Sequence, residues 1–199
     1  MKPGIPVGKI ARRLQIAPTA KTARILERRP ESPGQHGIRR STKKSVYGEQ
    51  LIEKQKLRFQ YMISEKVLRR AYMVAQKKKG NTGENLVRFL DRRLDATVFR
   101  SGIVNSTLAA RQLISHGHIQ INGKKVDKPS FQTSVTDMIF LSPKSQNFPF
   151  IKEGLRDATP VSYINLDREK AIITRAEDPT RETIPVDCKE QMVVEWYSR

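Results

Sequence analysis

Apolar residues recur in this chain at two spacings, three to four residues in its first half and two residues further on, which predicts helices followed by a strand-bearing region. Ile63, Val67, Ala71, Val74 and Ala75 share one helical face. Glu65 and Arg69 are spaced to pair along that helix, and Gly80 ends it after Lys77, Lys78 and Lys79. An earlier helix over residues 49–60 is expected to pack against it. The next run, Leu86, Phe89, Leu90, Leu94 and Val98, predicts one helix capped by Asn81 or Thr82. Its acids Asp91 and Asp95 read as partners of Arg88 and Arg92.

The stretch from Asn105 to Val126 is the most sharply patterned. Ser106 reads as an N-cap and Gly117 as a left-handed helix end. Between them Thr107, Ala110, Leu113 and Ile114 fall on one face, with Arg111, Gln112 and Ser115 on the other. Ile119 and Ile121 then alternate with His118, Gln120 and Asn122, and Asn122-Gly123 is a strong signal for a type I′ hairpin. Lys124 and Lys125 follow the tip. A helix face of donors beside a basic hairpin makes a rigid surface for a phosphate backbone, and RNA is the expected ligand.

Further on, Met138–Leu141 reads as a strand, residues 142–160 as looser chain, and 161–166 with 171–175 as a hairpin around Asp167-Arg168-Glu169-Lys170. The fold class expected from these patterns is α+β.

Charge sharpens the choice of partner. The 199 residues carry a formal charge of +18, distributed as +16 over residues 1–90, +4 over 91–150 and −2 over 151–199. A basic excess of that size marks a polyanion partner, met mainly by the first half. The near-neutral C-terminal quarter is expected to pack or to meet protein. Residues 1–45 interleave five prolines with Arg12-Arg13, Arg28-Arg29, Arg39-Arg40 and Lys43-Lys44. With little apolar surface of its own, this segment reads as a basic extended arm that orders on RNA. Within it Pro33-Gly34-Gln35-His36-Gly37 forces turns that bring backbone and donors close to a ligand.

Little supports catalysis. Cys188 is the one cysteine, so neither an internal disulfide nor a thiolate zinc site can form, and a reducing compartment fits. His116 and His118 flank Gly117 without a neighbouring acid, which favours turn hydrogen bonds and RNA contact over metal binding. Gly80-Asn81-Thr82-Gly83 lacks the Lys-Ser or Lys-Thr of a phosphate-binding loop. No cofactor and no metal are expected. No run approaches a membrane span, and the first 15 residues lack a signal peptide's apolar core, so a soluble, non-secreted protein with no membrane partner is expected. An RNA-modifying enzyme would need a catalytic domain that the roughly 50 residues after the module do not supply. An accessory factor that binds RNA only transiently is the other rival.

Ala-Arg-Gln-Leu (110–113), His-Gly-His-Ile (116–119) and Asn-Gly-Lys (122–124) resemble the RNA-binding module of the small-subunit ribosomal protein S-four family. Pro-Gly-Gln-His-Gly (33–37), Gly-Asn-Thr-Gly-Glu-Asn-Leu (80–86), the Tyr47–Arg58 stretch and the ending Glu-Trp-Tyr-Ser-Arg (195–199) resemble the same family in the same order. The resemblance implies a helical domain over 46–91 completed by about 186–199, with a small α/β module and antiparallel strands, 92–185, inserted in it. It implies a structural protein of the small subunit that binds a multi-helix junction in the 5′ domain of small-subunit rRNA, nucleates assembly and influences translational accuracy. Neighbours of the S-five and S-three types, and messenger RNA where it enters, are implied as partners. The location implied is the cytoplasmic ribosome or an organelle with bacterial-type ribosomes. Many members carry an N-terminal zinc cluster; with no cysteine before Cys188 this is a zinc-less form.

The residues expected at RNA are Arg12, Arg13, Arg28, Arg29, Gln35, His36, Arg39, Arg40, Lys43 and Lys44 in the arm. The helices are expected to add Tyr47, Lys54, Lys56, Arg58, Arg69, Arg70, Lys77, Lys78, Lys79, Asn81, Thr82, Arg92 and Arg93. Asn105, Ser106, Arg111, Gln112, His116, His118, Lys124 and Lys125 complete the set in the module. Base stacking is expected to contribute less than charge, since aromatics are 7% of the chain and do not interleave with the basic runs.

Overall fold

A computed structural model describes residues 6–35, 37 and 45–198. Its elements are α1 (Val7–Leu14), α2 (Ala20–Arg28), α3 (Val46–Gln60), α4 (Glu65–Gln76), α5 (Thr82–Asp91), α6 (Leu94–Arg100), α7 (Thr107–Ser115), β1 (Ile119–Ile121), β2 (Lys124–Lys125), β3 (Met138–Leu141), α8 (Pro143–Gln146), α9 (Pro149–Asp157), β4 (Ile164–Asp167), β5 (Ile172–Arg175) and α10 (Glu190–Tyr197). The chain is α+β and forms two compact units, residues 1–86 with 186–199 and residues 87–185. The division falls inside α5. Among the described residues no helix is long and apolar enough to cross a membrane.

In the first unit, α3 and α4 bury Leu57, Leu68, Ala71, Tyr72 and Ala75. The chain's end returns to them: α10 packs on α3, Gln50 donates to Glu195 at 2.7 Å, the Lys189 amide donates to Glu53 at 2.9 Å, and Tyr197 stacks on Tyr72 with ring centres 4.9 Å apart. The N-terminal arm departs from the extended form expected of it, because residues 7–28 form two helices. Ala11, Leu14 and Ile16 are few, but they are buried together with Phe59 and Met62, so α3 supplies the apolar surface that the arm lacks. Pro18 lies in the connection, and Thr19 and Thr22 form a reciprocal cap that starts α2.

The second unit is built on a five-stranded antiparallel sheet in the order β2-β1-β3-β5-β4. Its core joins Leu94 and Val98 of α6, Ala110, Leu113 and Ile114 of α7, and Ile119, Ile139, Leu141 and Ile173 of the sheet. Two expectations are corrected here. The single helix expected from Leu86 to Val98 breaks at Arg92-Arg93, where the backbone turns extended (Arg93 ψ 142°), the Thr133 amide donates to Arg92 O and the Leu94 amide to Phe131 O, each at 2.8 Å. Residues 142–160, expected to be loose, carry α8 and α9. Each has proline in its first turn, where the missing N–H costs nothing, and Ser142 caps the first of them.

Candidate nucleic-acid interface

Helix α7 and the hairpin after it are held rigidly by local chemistry. The Ser106 hydroxyl accepts from the Ala109 amide at 3.2 Å. At the other end Gly117 adopts φ +74°, its amide donates to Ile114 O, and the His118 amide donates to Leu113 O, the paired bonds of a Schellman ending. Asn122 and Gly123 both have positive φ, 50° and 78°, as a type I′ turn requires. The Asn122 side chain donates to Asp137 at 2.9 Å and accepts from the Met138 amide at 3.0 Å, which fastens the tip to β3. The outcome is an exposed row: Asn105, Gln112, His116, Lys124 and Lys125 face solvent while Thr107, Ala110, Leu113, Ile114, Ile119 and Ile121 are buried. Lys128, which sequence reasoning missed, is exposed three residues past the hairpin.

Not every cation in this unit is available to a ligand. Asp95, 1% exposed, is chelated by Arg93 through Nε at 3.0 Å and Nη2 at 2.8 Å, and receives Arg111 Nε at 2.6 Å. Arg93 is itself buried, so its expected place at RNA is corrected: a carboxylate in the core must be matched by charge, and Arg93 supplies it. Arg111 keeps part of its side chain at the surface but is oriented by the same acid. Arg92 pairs with Asp178 at 2.9 Å, and Arg88 donates to Pro179 O. Asp91, fully buried, takes Arg100 Nε at 3.3 Å, Arg175 Nη2 at 3.6 Å and the Tyr163 hydroxyl at 2.8 Å. Burial first, and then Asp91, hold Tyr163 protonated well above the usual tyrosine range. These long-range sets replace the helix pairs expected for Asp91 and Asp95.

In the first unit the same sorting applies. Lys54 is buried, bonded to Glu65 at 3.0 Å with its ammonium 4.6 Å from the Trp196 ring centre, so it too is corrected from RNA contact to structural cation. Glu65 thereby takes Lys54 and the Tyr197 hydroxyl as close partners, where Arg69 was expected. Lys56 pairs with Glu53 at 2.9 Å, and Arg58 lies 4.0 Å from Glu65. Tyr47 is half exposed against Trp196. Arg12 donates to Glu31 O at 2.9 Å and Gln15 to Pro30 O at 2.7 Å, which ties the proline loop back onto α1. Arg13, Arg28, Arg29, Gln35, Arg69, Arg70 and Lys77–Lys79 stand exposed. Asn81 caps α5 through the Gly83 amide at 2.9 Å, and Thr82 is its first residue. His36, Arg39, Arg40, Lys43 and Lys44 lie outside the described residues.

Cys188 is buried. Among the described residues no group of three or more His, Cys, Asp or Glu is placed to hold a metal ion.

Comparison with known proteins agrees with this arrangement. Residues 5–91 match the ribosomal protein S4/S9 N-terminal domain family, and residues 92–139 match the S4 domain family. The chain is 45% identical over 196 residues to the small ribosomal subunit protein uS4 of Chlorobium limicola, covering 97% of each chain. It is also 45% identical to the protein of that name from Streptomyces griseus, over 98% of this chain and 97% of the relative. With likeness of that degree along nearly its whole length, the chain belongs to the uS4 family of small ribosomal subunit proteins.

Proposed function

We propose that the chain is a structural constituent of the small ribosomal subunit, and no enzyme, that binds a multi-helix junction in the 5′ domain of small-subunit rRNA early in assembly. The observation that carries this reading is the full-length likeness to proteins named for that subunit. The physical mechanism is placement of charge. Folded RNA brings phosphates together, and exposed Lys and Arg on preformed helices and a hairpin neutralise them at fixed positions. Arg13, Arg28, Arg29, Arg69, Arg70, Lys77–Lys79, Lys124 and Lys125 supply the cations, with Asn105, Gln112 and His116 as polar contacts. The arm and its Pro-Gly-Gln-His-Gly turn, with Arg39, Arg40, Lys43 and Lys44, reach further RNA.

Proteins of the S-five and S-three types neighbour it, messenger RNA passes on the side where it enters, and decoding accuracy depends on these contacts. The site of action is the ribosome, in a cytoplasm or in an organelle with bacterial-type ribosomes. The test is chemical footprinting of protein-free small-subunit rRNA with the purified chain alone. Protection clustered at one junction of the 5′ domain is expected. Protection that requires other subunit proteins to be bound first would overturn the role in early assembly.

A further inference from the structure

Four rings that are dispersed in sequence meet at one end of α7. His118 stands edge-on to Phe148 with centres 5.2 Å apart, Phe148 stacks on Phe150 at 5.7 Å and 22°, and His116 lies 6.3 Å from His118. Together with Gln112 and the apolar flank of Ala109 and Leu113 they enclose a cavity of about 280 Å³. Phe148 has its inner side against the core, whereas Phe150 is 51% exposed and His116 is exposed, so the mouth of the cavity is aromatic.

Cations lie beside this mouth. The Lys125 side chain crosses Gly117, where a Cβ would collide with its Cε and Nζ. Burial, then His116, Lys144 and Lys125, lower the pKa of His118, and Lys144 stands exposed on α8, four residues before Phe148. Among the described residues no acidic one lines the cavity.

We propose that this cavity receives one unpaired nucleobase of the bound ribosomal RNA, stacked against Phe150 and His116, with Gln112 facing its polar edge and Lys125 and Lys144 facing its phosphates. The inference rests on the ribosomal RNA-binding reading above. The charge pattern selects the occupant: an apolar protein segment would fill the aromatic surface but leave the two lysines without counter-charge, whereas a nucleotide brings a flat π face and an anion together. It also revises the sequence expectation about stacking, since the rings are separated along the chain and meet only in the fold.

The test uses the full chain with a 5′-domain rRNA fragment. Phe150→Ala and His116→Ala change exposed side chains, so melting temperatures should stay at the wild-type value. Affinity should fall roughly 5- to 150-fold for each lost stacking contact, and one base protected by the wild-type protein from edge-modifying reagents should become reactive. Phe150→Trp should restore affinity, and its added fluorescence should be quenched by the RNA, while Phe150→Leu should not restore it. Wild-type selectivity for the fragment with unchanged affinity and protection in Phe150→Ala would overturn the nucleobase assignment alone and leave the cavity to a protein segment. Absence of wild-type selectivity would overturn the RNA reading and this inference with it.

Discussion

Replacing Asp91 by Ala is expected to destabilise the protein by about 3–5 kcal/mol, the usual cost of removing one partner from a buried ion pair. Asp91 is fully buried between Arg175, whose side chain is also fully buried, and Arg100, and it accepts the Tyr163 hydroxyl. Without it the Arg175 guanidinium, already pulled below its ordinary pKa by burial, loses the anion that opposes that shift. Denaturant unfolding measures the change. Part of the loss should be recovered by Asp91→Leu combined with Arg175→Met, because apolar side chains of similar volume replace a buried pair at little cost, while the buried Tyr163 hydroxyl and Arg100 still lose their acceptor. A loss below about 1 kcal/mol in Asp91→Ala would show that the cluster is not what locks β5 to the end of α5.

The second large effect is on RNA. Exchanging Lys124, Lys125 and Lys128 for Gln should lower the slope of log affinity against log salt by about 2 to 3, at roughly 0.7–0.9 per lost phosphate contact. All three are exposed on or just beyond a hairpin whose register is set by Asn122 and β3, so their removal should leave the melting temperature unchanged. Arg111→Gln should behave differently. Its Nε is committed to buried Asp95, so this variant should lose stability as well as any RNA contact. An unchanged salt slope in the triple variant would remove the hairpin from the RNA interface.

Where a residue's role is settled by its near neighbours in sequence, pattern alone was enough. Ser106, Gly117 and Asn122-Gly123 each perform the capping or turning role that their side chains dictate, and the buried face of α7 is the one that three- and four-residue spacing marks. The misses share a different cause. Ala11, Leu14 and Ile16 are too few to signal a packed helix until α3 is beside them. The break at Arg92-Arg93 is made by backbone bonds to residues 131 and 133, about 40 positions away. Arg93 and Lys54 look like any other surface cation in a basic sequence; only tertiary structure places Asp95 and Glu65 against them. The one local hint was Asp95 itself, an acid in a buried run of α6. Lys128 belongs to no motif, and the rings at 116, 118, 148 and 150 are not all neighbours along the chain.

The most direct test of the assignment is equilibrium binding of the purified full-length chain to a small-subunit rRNA fragment containing the 5′ domain, against an unrelated RNA of equal length, across a salt series. Non-specific attraction rests on phosphate charge and fades steeply with salt, whereas shape-matched contacts at a folded junction persist. Affinity for the fragment should stay well above the control as salt rises. Equal affinities that collapse together would contradict a specific junction binder and leave only a polycation.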